Sequence, residues 1–138
     1  MVFEQRRWTY AELDRDVHAL AAGLRSLGIK PGDRIATVAM NSAEYLILAL
    51  ALARLGAVLV PLNYRLQHKE LMDLVRRSGA VALATEVEFA GLASQTLAEI
   101  AGLKVQLDMS TGLPQQFTSI PALMEKHRGE TVADWPCE

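Results

Sequence analysis

The sequence predicts an α/β fold in which a mostly parallel sheet carries flanking helices. Segments with the apolar spacing of helices alternate with short apolar runs that are typical of buried strands. Glycine follows the predicted helices, and a predicted strand begins within a few residues of each glycine. Because strand and helix alternate, the strands are expected to be parallel and joined by right-handed crossovers.

The first predicted helix begins after Thr9, which is a good N-cap residue. Glu12 lies three residues later, so each of the two side chains can accept a hydrogen bond from a backbone amide of the first turn. Apolar residues then recur at the spacing of one helical face, and the helix is expected to end before Gly28. These apolar residues are Leu13, Val17, Leu20, Ala21, Leu24 and Leu27.

The next predicted elements are the most apolar of the chain. A run over residues 35–40 predicts a strand covered on both faces, and Asn41 is predicted to cap the helix that follows. From Tyr45 to Leu55 this helix is apolar on nearly all sides, so we expect it to be central and mostly buried. A second buried strand is expected over residues 57–60, and Pro61 closes it.

The rest of the chain continues the alternation less regularly. The predicted elements are a helix over 68–78, a strand over 81–84, a helix over 88–100, a weaker strand over 104–107 and a short helix over 120–127. Residues 110–138 are poorly patterned, and the chain after Gly129 is expected to be open. No repeat, low-complexity tract or linker divides the sequence, so residues 1–138 are treated as one unit.

Composition and charge argue against several classes of protein. The net charge is −2 and no basic stripe is present, so no nucleic-acid partner is predicted. The most apolar stretch, residues 45–62, is interrupted by Arg54, Gly56 and Pro61, so no transmembrane segment is predicted. The single cysteine, Cys137, excludes an internal disulfide and a cysteine-based zinc site. It is interpreted as a bystander in a cytoplasmic protein.

No complete motif for phosphate binding, metal binding or nucleophilic catalysis occurs in the sequence. The loop over residues 40–44 lacks the glycines that let a pyrophosphate approach the backbone. His18, His68 and His127 do not have the spacing of metal ligands, so no metal site is predicted. Ser42 follows a strand and precedes a helix, but the glycines of a nucleophile elbow are missing. Helix capping is therefore the better interpretation of Ser42.

The loop over residues 61–66 is the most informative candidate site. It leaves the carboxyl end of a predicted strand, where open α/β sheets bind ligands. Tyr64 and Arg65 offer a flat ring and a bidentate anion binder. The alternative is that Asn63 holds the turn and that Arg65 is simply solvated, and the pattern alone leaves both interpretations open.

Five short motifs follow one another in a recognisable order between about Trp8 and Thr85. They are Thr9–Leu13, Gly28–Ile35, Asn41–Glu44, Leu55–Leu66 and Ser78–Ala80. This series resembles the beginning of the AMP-binding, adenylate-forming acyl-CoA synthetases, whose superfamily includes the adenylation domains of nonribosomal peptide synthetases and the beetle luciferases. From Glu86 onward the resemblance extends only to the general layout.

The resemblance implies a function for the parent enzyme. Members of this family use ATP and Mg²⁺ to convert a carboxylic acid into an acyl-adenylate, and then pass the acyl group to the thiol of coenzyme A. Residues 1–138 resemble part of the N-terminal subdomain, in which residues 110–138 lead toward the phosphate loop. The resemblance places that loop, the ribose-binding aspartate and the lid lysine after Glu138. It therefore predicts no catalytic residue and no bound cofactor for this chain, with the rest of the synthetase as its partner.

The resemblance also implies a role for the loop after the second strand. Arg65 is expected to contact a phosphate of coenzyme A, whereas Asn63 and Tyr64 are expected to shape the turn. Two alternatives remain, namely a small module that binds coenzyme A or a nucleotide, and a structural fragment that self-associates. The second follows because a sheet taken from a larger protein leaves apolar surface uncovered.

Overall fold

The computed structural model describes residues 1–136, apart from the side chain of Leu97. The interpretation of Cys137 therefore concerns a residue outside the described part of the chain. The helices are α1 (Tyr10–Ser26), α2 (Ala43–Leu55), α3 (His68–Ser78), α4 (Ala90–Glu99) and α5 (Ile120–Lys126). The strands are β1 (Val2–Phe3), β2 (Arg6–Arg7), β3 (Arg34–Val38), β4 (Val58–Pro61), β5 (Ala82–Thr85), β6 (Val105–Asp108) and β7 (Thr118–Ser119).

A parallel sheet with the strand order β4-β3-β5-β6-β7 forms the centre of the fold. Every neighbouring pair in this sheet is parallel, which confirms the predicted α/β fold with a mostly parallel sheet. The short strands β1 and β2 form a separate antiparallel hairpin that the sequence analysis did not predict. Strand β7 was also missed, because a two-residue strand has no measurable periodicity.

Helices cover both faces of the sheet. Helix α1 packs against α2 and α5 on one face, while α3 contacts β3 and α4 contacts β5 on the other. Side chains along β3 alternate between the two resulting cores, so that Ile35 packs with the α1 layer and Ala36 packs with the α3 layer. The continuous apolar run of β3 follows from this burial on both faces.

The helix ends follow the local signals of the sequence. The predicted capping box of α1 is present, since Glu12 N–H donates to Thr9 Oγ1 at 3.2 Å and Thr9 N–H donates to Glu12 Oε2 at 2.7 Å. The backbone hydrogen bond from Thr9 lowers the pKa of Glu12. The cap of α2 is Ser42, which confirms the capping interpretation of that residue, and not Asn41, which was also predicted to cap this helix. The Ser42 Oγ accepts a hydrogen bond from Tyr45 N–H at 3.1 Å.

Helix α2 packs in the core as predicted, but one of its apolar faces is exposed. Leu52 is fully buried, but Leu50 is 40% exposed, and Leu46 is exposed on the same side of the helix. Leu46 and Leu50 are four residues apart and therefore lie on one face. The composition of α2 does not distinguish this face from the buried one, because both carry leucine.

Strand β4 is not covered on both faces either, contrary to the prediction. It lies at the edge of the sheet and pairs only with β3. As a result, Val58 is 45% exposed, and Leu59 and Val60 are half-buried. Pro61, which lacks an N–H donor, suits such an edge position.

Residues 130–136 are not open, although their sequence lacks a pattern. Val132 is 5% exposed and belongs to the core beneath α1 and α2. Trp135 N–H donates to the carbonyl of Arg54 at 2.9 Å, and its ring lies against Gly56. Gly56 has a φ of +69° at the end of α2, a conformation that costs little only for glycine.

Replacing Gly56 with alanine tests this packing. The variant is expected to lose about 1–2 kcal/mol of unfolding free energy, because an L-residue is strained in the left-handed region. Its Cβ would also lie 2.5 Å from Trp135 Cγ, so the ring must move and the tryptophan emission should shift to longer wavelength. Urea denaturation and fluorescence measure the two effects.

Gly28→Ala is the matched control for Gly56→Ala. Gly28 has a φ of +91° but faces open space, so it should show a similar loss of stability with unchanged tryptophan emission. Identical emission spectra for the two variants would contradict the packing of Trp135 on Gly56.

Candidate functional site

The carboxyl ends of the parallel strands meet at one edge of the sheet, which we call the carboxyl edge. Strand β3 comes first along the chain but lies between β4 and β5. The crossovers that leave β3 and β4 therefore run in opposite directions, and the reversal falls between the ends of β3 and β5. Open α/β sheets bind ligands at such a reversal. The candidate site is the carboxyl edge, with its loops over 39–42, 62–67, 86–89 and 109–117.

A carboxylate links the ends of β3 and β5. Met40 N–H donates a hydrogen bond to Glu86 Oε1 at 2.8 Å. Below it, the buried Thr85 hydroxyl donates to the Val38 carbonyl at 2.7 Å. The Met40 N–H, which could otherwise bind an anion, is thus already paired with the Glu86 carboxylate. A phosphate group is disfavoured at this point by the nearby carboxylate.

A second carboxylate organises the loop after β6. Asp108 is 2% exposed and accepts hydrogen bonds from Ser110 N–H, the Ser110 hydroxyl and Leu113 N–H, at 2.7, 2.7 and 2.9 Å. Burial raises the pKa of Asp108, but these hydrogen bonds outweigh burial, and the pKa lies below its ordinary value. Ser110 Oγ also accepts from Val87 N–H at 2.9 Å. Asp108 is therefore an ionised structural group that joins the β6 and β5 loops.

The loop after β4 is a turn held by Asn63. Asn63 Oδ1 accepts a hydrogen bond from Arg65 N–H at 3.0 Å, and Leu66 N–H donates to the Asn63 carbonyl at 3.1 Å. Such side-chain to backbone bonds fix tight turns. The Tyr64 ring lies 5.6 Å from the Phe89 ring, so this turn is anchored to the loop after β5.

Arg65 is the cation of the candidate site. Its side chain is exposed, and its guanidinium carbon lies 5.6 Å from the centre of the Tyr64 ring. Within residues 1–136, no carboxylate forms an ion pair with Arg65. The guanidinium thus keeps its donors available for an anion from solution.

Exposed apolar side chains share the carboxyl edge with this cation. Met40, Tyr64 and Val87 follow β3, β4 and β5 respectively, and all three belong to the large apolar side chains that remain exposed. A surface that combines an unpaired guanidinium with apolar groups suits a ligand with an anionic end and an apolar body. The Ser42 hydroxyl at this edge is engaged as the cap of α2.

The three histidines lie in separate places, and none joins the carboxyl-edge hydrogen bonds. His68 Nε2 lies 3.3 Å from Glu99 Oε1, and His127 Nδ1 lies 3.0 Å from Glu130 Oε1. His18 lies on α1, beneath the segment that follows α5. In the described part of the chain, no group of three or more potential ligands is arranged to hold a metal ion. Among residues 1–136, no helix has both the length and the apolar character that crossing a membrane requires.

Comparison with known proteins agrees with the fold and the order of the motifs. A family model described as "AMP-binding enzyme" matches residues 1–132. The chain belongs to this family. A feruloyl-CoA synthase from Amycolatopsis sp is 45% identical over 93 residues, which are 67% of this chain and 18% of that protein. Triostin synthetase I from Streptomyces triostinicus is 38% identical over 124 residues, which are 89% of this chain and 23% of that protein.

Solved structures of AMP-binding enzymes share the fold described above. The apo structure of MbtA from Mycobacterium smegmatis is 31% identical, with a TM-score of 0.82, and the match covers 96% of this chain and 25% of that one. A long-chain-fatty-acid CoA ligase from Rhodopseudomonas palustris is 25% identical, also with a TM-score of 0.82, and the match covers 96% of this chain and 33% of that one. The chain thus spans about a fifth of the curated relatives it matches.

Two residues of the carboxyl edge were missed by the sequence analysis. Glu86 follows β5 directly, and Asp108 is the last residue of β6. Since carboxyl ends of parallel strands share one edge, polar residues at these positions were a usable signal. The positions of Asn63, Tyr64 and Arg65 at this edge were predicted, whereas their functional roles remain predictions.

Proposed function

We propose that the chain is the scaffold portion of an ATP-dependent carboxylate–CoA ligase. In the parent enzyme, ATP and Mg²⁺ convert a carboxylic acid into an acyl-adenylate, and coenzyme A then accepts the acyl group. The rest of the parent is the partner of this chain and supplies the catalytic residues. Family membership supports this proposal, as does the sequence, which contains no run rich in Ser, Thr and Gly that ends in Pro-Lys-Gly. We place the parent enzyme in the cytoplasm.

The proposed role of this chain toward coenzyme A rests on Arg65. Its unpaired guanidinium extends from a turn fixed by Asn63, beside the exposed ring of Tyr64. Coenzyme A has the matching chemistry, because phosphates and a less polar pantetheine arm occur in one molecule. Arg65 is proposed to bind a phosphate by charge-assisted hydrogen bonds, and Asn63 and Tyr64 to hold the turn that positions it.

Calorimetry with coenzyme A tests this role. The wild-type chain is expected to bind weakly, and Arg65→Ala is expected to bind at least about tenfold more weakly, because a hydrogen bond to a charged group contributes about 1.5–3 kcal/mol. Arg77→Ala is the matched control, since Arg77 is also exposed but lies at the far end of α3. Equal affinity in wild type and Arg65→Ala, or no binding heat from wild type, would contradict the proposed contact.

ATP–pyrophosphate exchange, driven by fatty or aromatic acids, tests the scaffold proposal separately. The 138-residue chain is expected to give no exchange above background. Robust exchange would show that this chain carries the adenylating residues itself, and would refute the proposal. The nucleotide sequence after the codon for Glu138 provides a further check, since an encoded Ser/Thr/Gly loop would identify the parent directly.

The exposed face of α2 favours a second candidate, a structural chain that self-associates. Leu46 and Leu50 place apolar surface in solvent on one side of this helix. Sedimentation at increasing concentration separates the candidates, because self-association shifts the wild-type chain toward dimers. A monomer at all concentrations, without binding of a dye for apolar surfaces, would remove the second candidate.

A further inference from the structure

The segment over residues 130–136, which we call the strap, is attached across helices α1 and α2. The Val132 side chain is buried in the α1–α2 core. The Arg54 guanidinium on α2 forms ion pairs with Asp134 of the strap and Asp14 of α1. Gly129 precedes the strap with a φ of +86°, so the chain changes direction where the strap begins.

A single imidazole nitrogen links the strap to α1. Val132 N–H donates a hydrogen bond to His18 Nδ1 at 3.0 Å. A ring nitrogen accepts a hydrogen bond only when it carries no proton, so the closed strap requires neutral His18 with its proton on Nε2. Nε2 lies 3.7 Å from Asp14 Oδ2, which suits this tautomer. The His18 side chain is only 16% exposed, so water has limited access to replace the lost acceptor.

We propose that His18 makes the strap a pH-sensitive latch. Neutral His18 holds the strap closed through Val132 N–H. Protonation of His18 puts a proton on Nδ1, so that two donors, Nδ1–H and Val132 N–H, face each other. The hydrogen bond between them is lost, and the strap loosens. Loosening widens a groove of about 560 Å³ between α1 and α2, which Leu13, Val17 and Leu50 line together with Trp135 of the strap.

The charged groups around His18 do not cancel this effect. Asp14 on α1 attracts an imidazolium, but it acts at Nε2 and offers no acceptor to Val132 N–H. Arg54 on α2 lies between Asp14 and Asp134, and its ion pairs with them do not involve the imidazole. Glu130 of the strap faces His127 rather than His18. Acidification therefore loosens the strap while the helices stay folded.

Hydrogen exchange of the Val132 amide in the 138-residue chain tests the latch. The neutral ring accepts a hydrogen bond from Val132 N–H at Nδ1 and the protonated ring cannot, so the latch weakens when His18 becomes protonated. Protection of Val132, corrected for intrinsic exchange, is expected to fall by about two- to tenfold between pH 8 and 5, which is the usual effect of losing one hydrogen bond. His18→Asn keeps an acceptor oxygen near the position of Nδ1 but cannot titrate, so its protection should stay constant. An equal fall in both proteins, or none in wild type, would overturn the proposal.

Two further measurements distinguish His18 from the other histidines. In a Trp8→Phe background, the emission of Trp135 is expected to shift with pH in wild type and in His127→Asn, but not in His18→Asn. A shift abolished by His127→Asn and kept in His18→Asn would overturn the assignment. Nitrogen chemical shifts of His18 in the wild-type chain decide the question even if His18→Asn fails to fold. A proton on Nδ1 at pH 8 contradicts the latch.

Discussion

Replacing Leu52 with alanine is expected to lower the free energy of unfolding by about 2–5 kcal/mol. Leu52 lies on the inner face of α2 and is fully buried in the core shared with α1 and the sheet. Truncation removes buried apolar atoms and leaves a cavity that close-packed neighbours fill only in part. Urea denaturation, followed by circular dichroism, measures the loss.

Leu50→Ala is the matched control, because it makes the same chemical change two residues away in the same helix. Leu50 is 40% exposed, so its loss is expected to stay below about 1 kcal/mol. Similar losses for the two variants would mean that both sides of α2 are buried, which would contradict the exposure of Leu50. The pair of variants therefore measures directly which side of this apolar helix faces the core.

Replacing Asp108 with alanine is expected to lower the unfolding free energy by about 3–5 kcal/mol at pH 7, because each hydrogen bond to a charged group contributes about 1.5–3 kcal/mol and such losses are not fully additive. The amides of Ser110 and Leu113 would lose their acceptor. The loop after β6 would then detach from Val87 at the carboxyl edge. Denaturation at pH 7 checks the size of the loss. Asp73→Asn on the exposed surface of α3 is the control, with an expected change below about 0.5 kcal/mol.

The stability that Asp108 contributes is expected to decrease as the pH falls. The pKa of Asp108 is lowered in the folded chain from an ordinary value of 3.8, so its stabilising contribution is fully present above that value. It is lost as the pH falls through the lower, folded-state pKa. Wild type and Asp108→Ala should thus differ most near neutral pH and converge in acid. A difference that grows on acidification would contradict an ionised Asp108.

Much of the secondary structure could be predicted because its signals are local. The capping box of Thr9 and Glu12 involves residues three positions apart, and its two hydrogen bonds are formed as predicted. Helix α3 has the predicted bounds, His68–Ser78, with Gly79 in the left-handed conformation after it. The cap of α2 was displaced by one residue, since Asn41 and Ser42 are both good caps and only the folded backbone decides between them.

The candidate site was predicted only in part, because only some of its contacts join residues that are close in the sequence. The turn of Asn63 and Arg65 follows one strand and needs only neighbouring residues, so its position could be inferred. The bridge from Met40 to Glu86 joins residues 46 positions apart. It depends on β3 lying beside β5, which no local pattern reveals.

The sequence by itself determined the α/β class, the alternation of strand and helix, and the family. These features depend on periodicity, caps and short motifs, whose energies arise between residues a few positions apart. Only the tertiary structure decided that β4 is an edge strand, that one leucine face of α2 is exposed, and that Val132 is held by His18. Each of these depends on which distant segments pack together, and His18 and Val132 are 114 positions apart. Burial and pairing are therefore properties of the assembled layers rather than of any one segment.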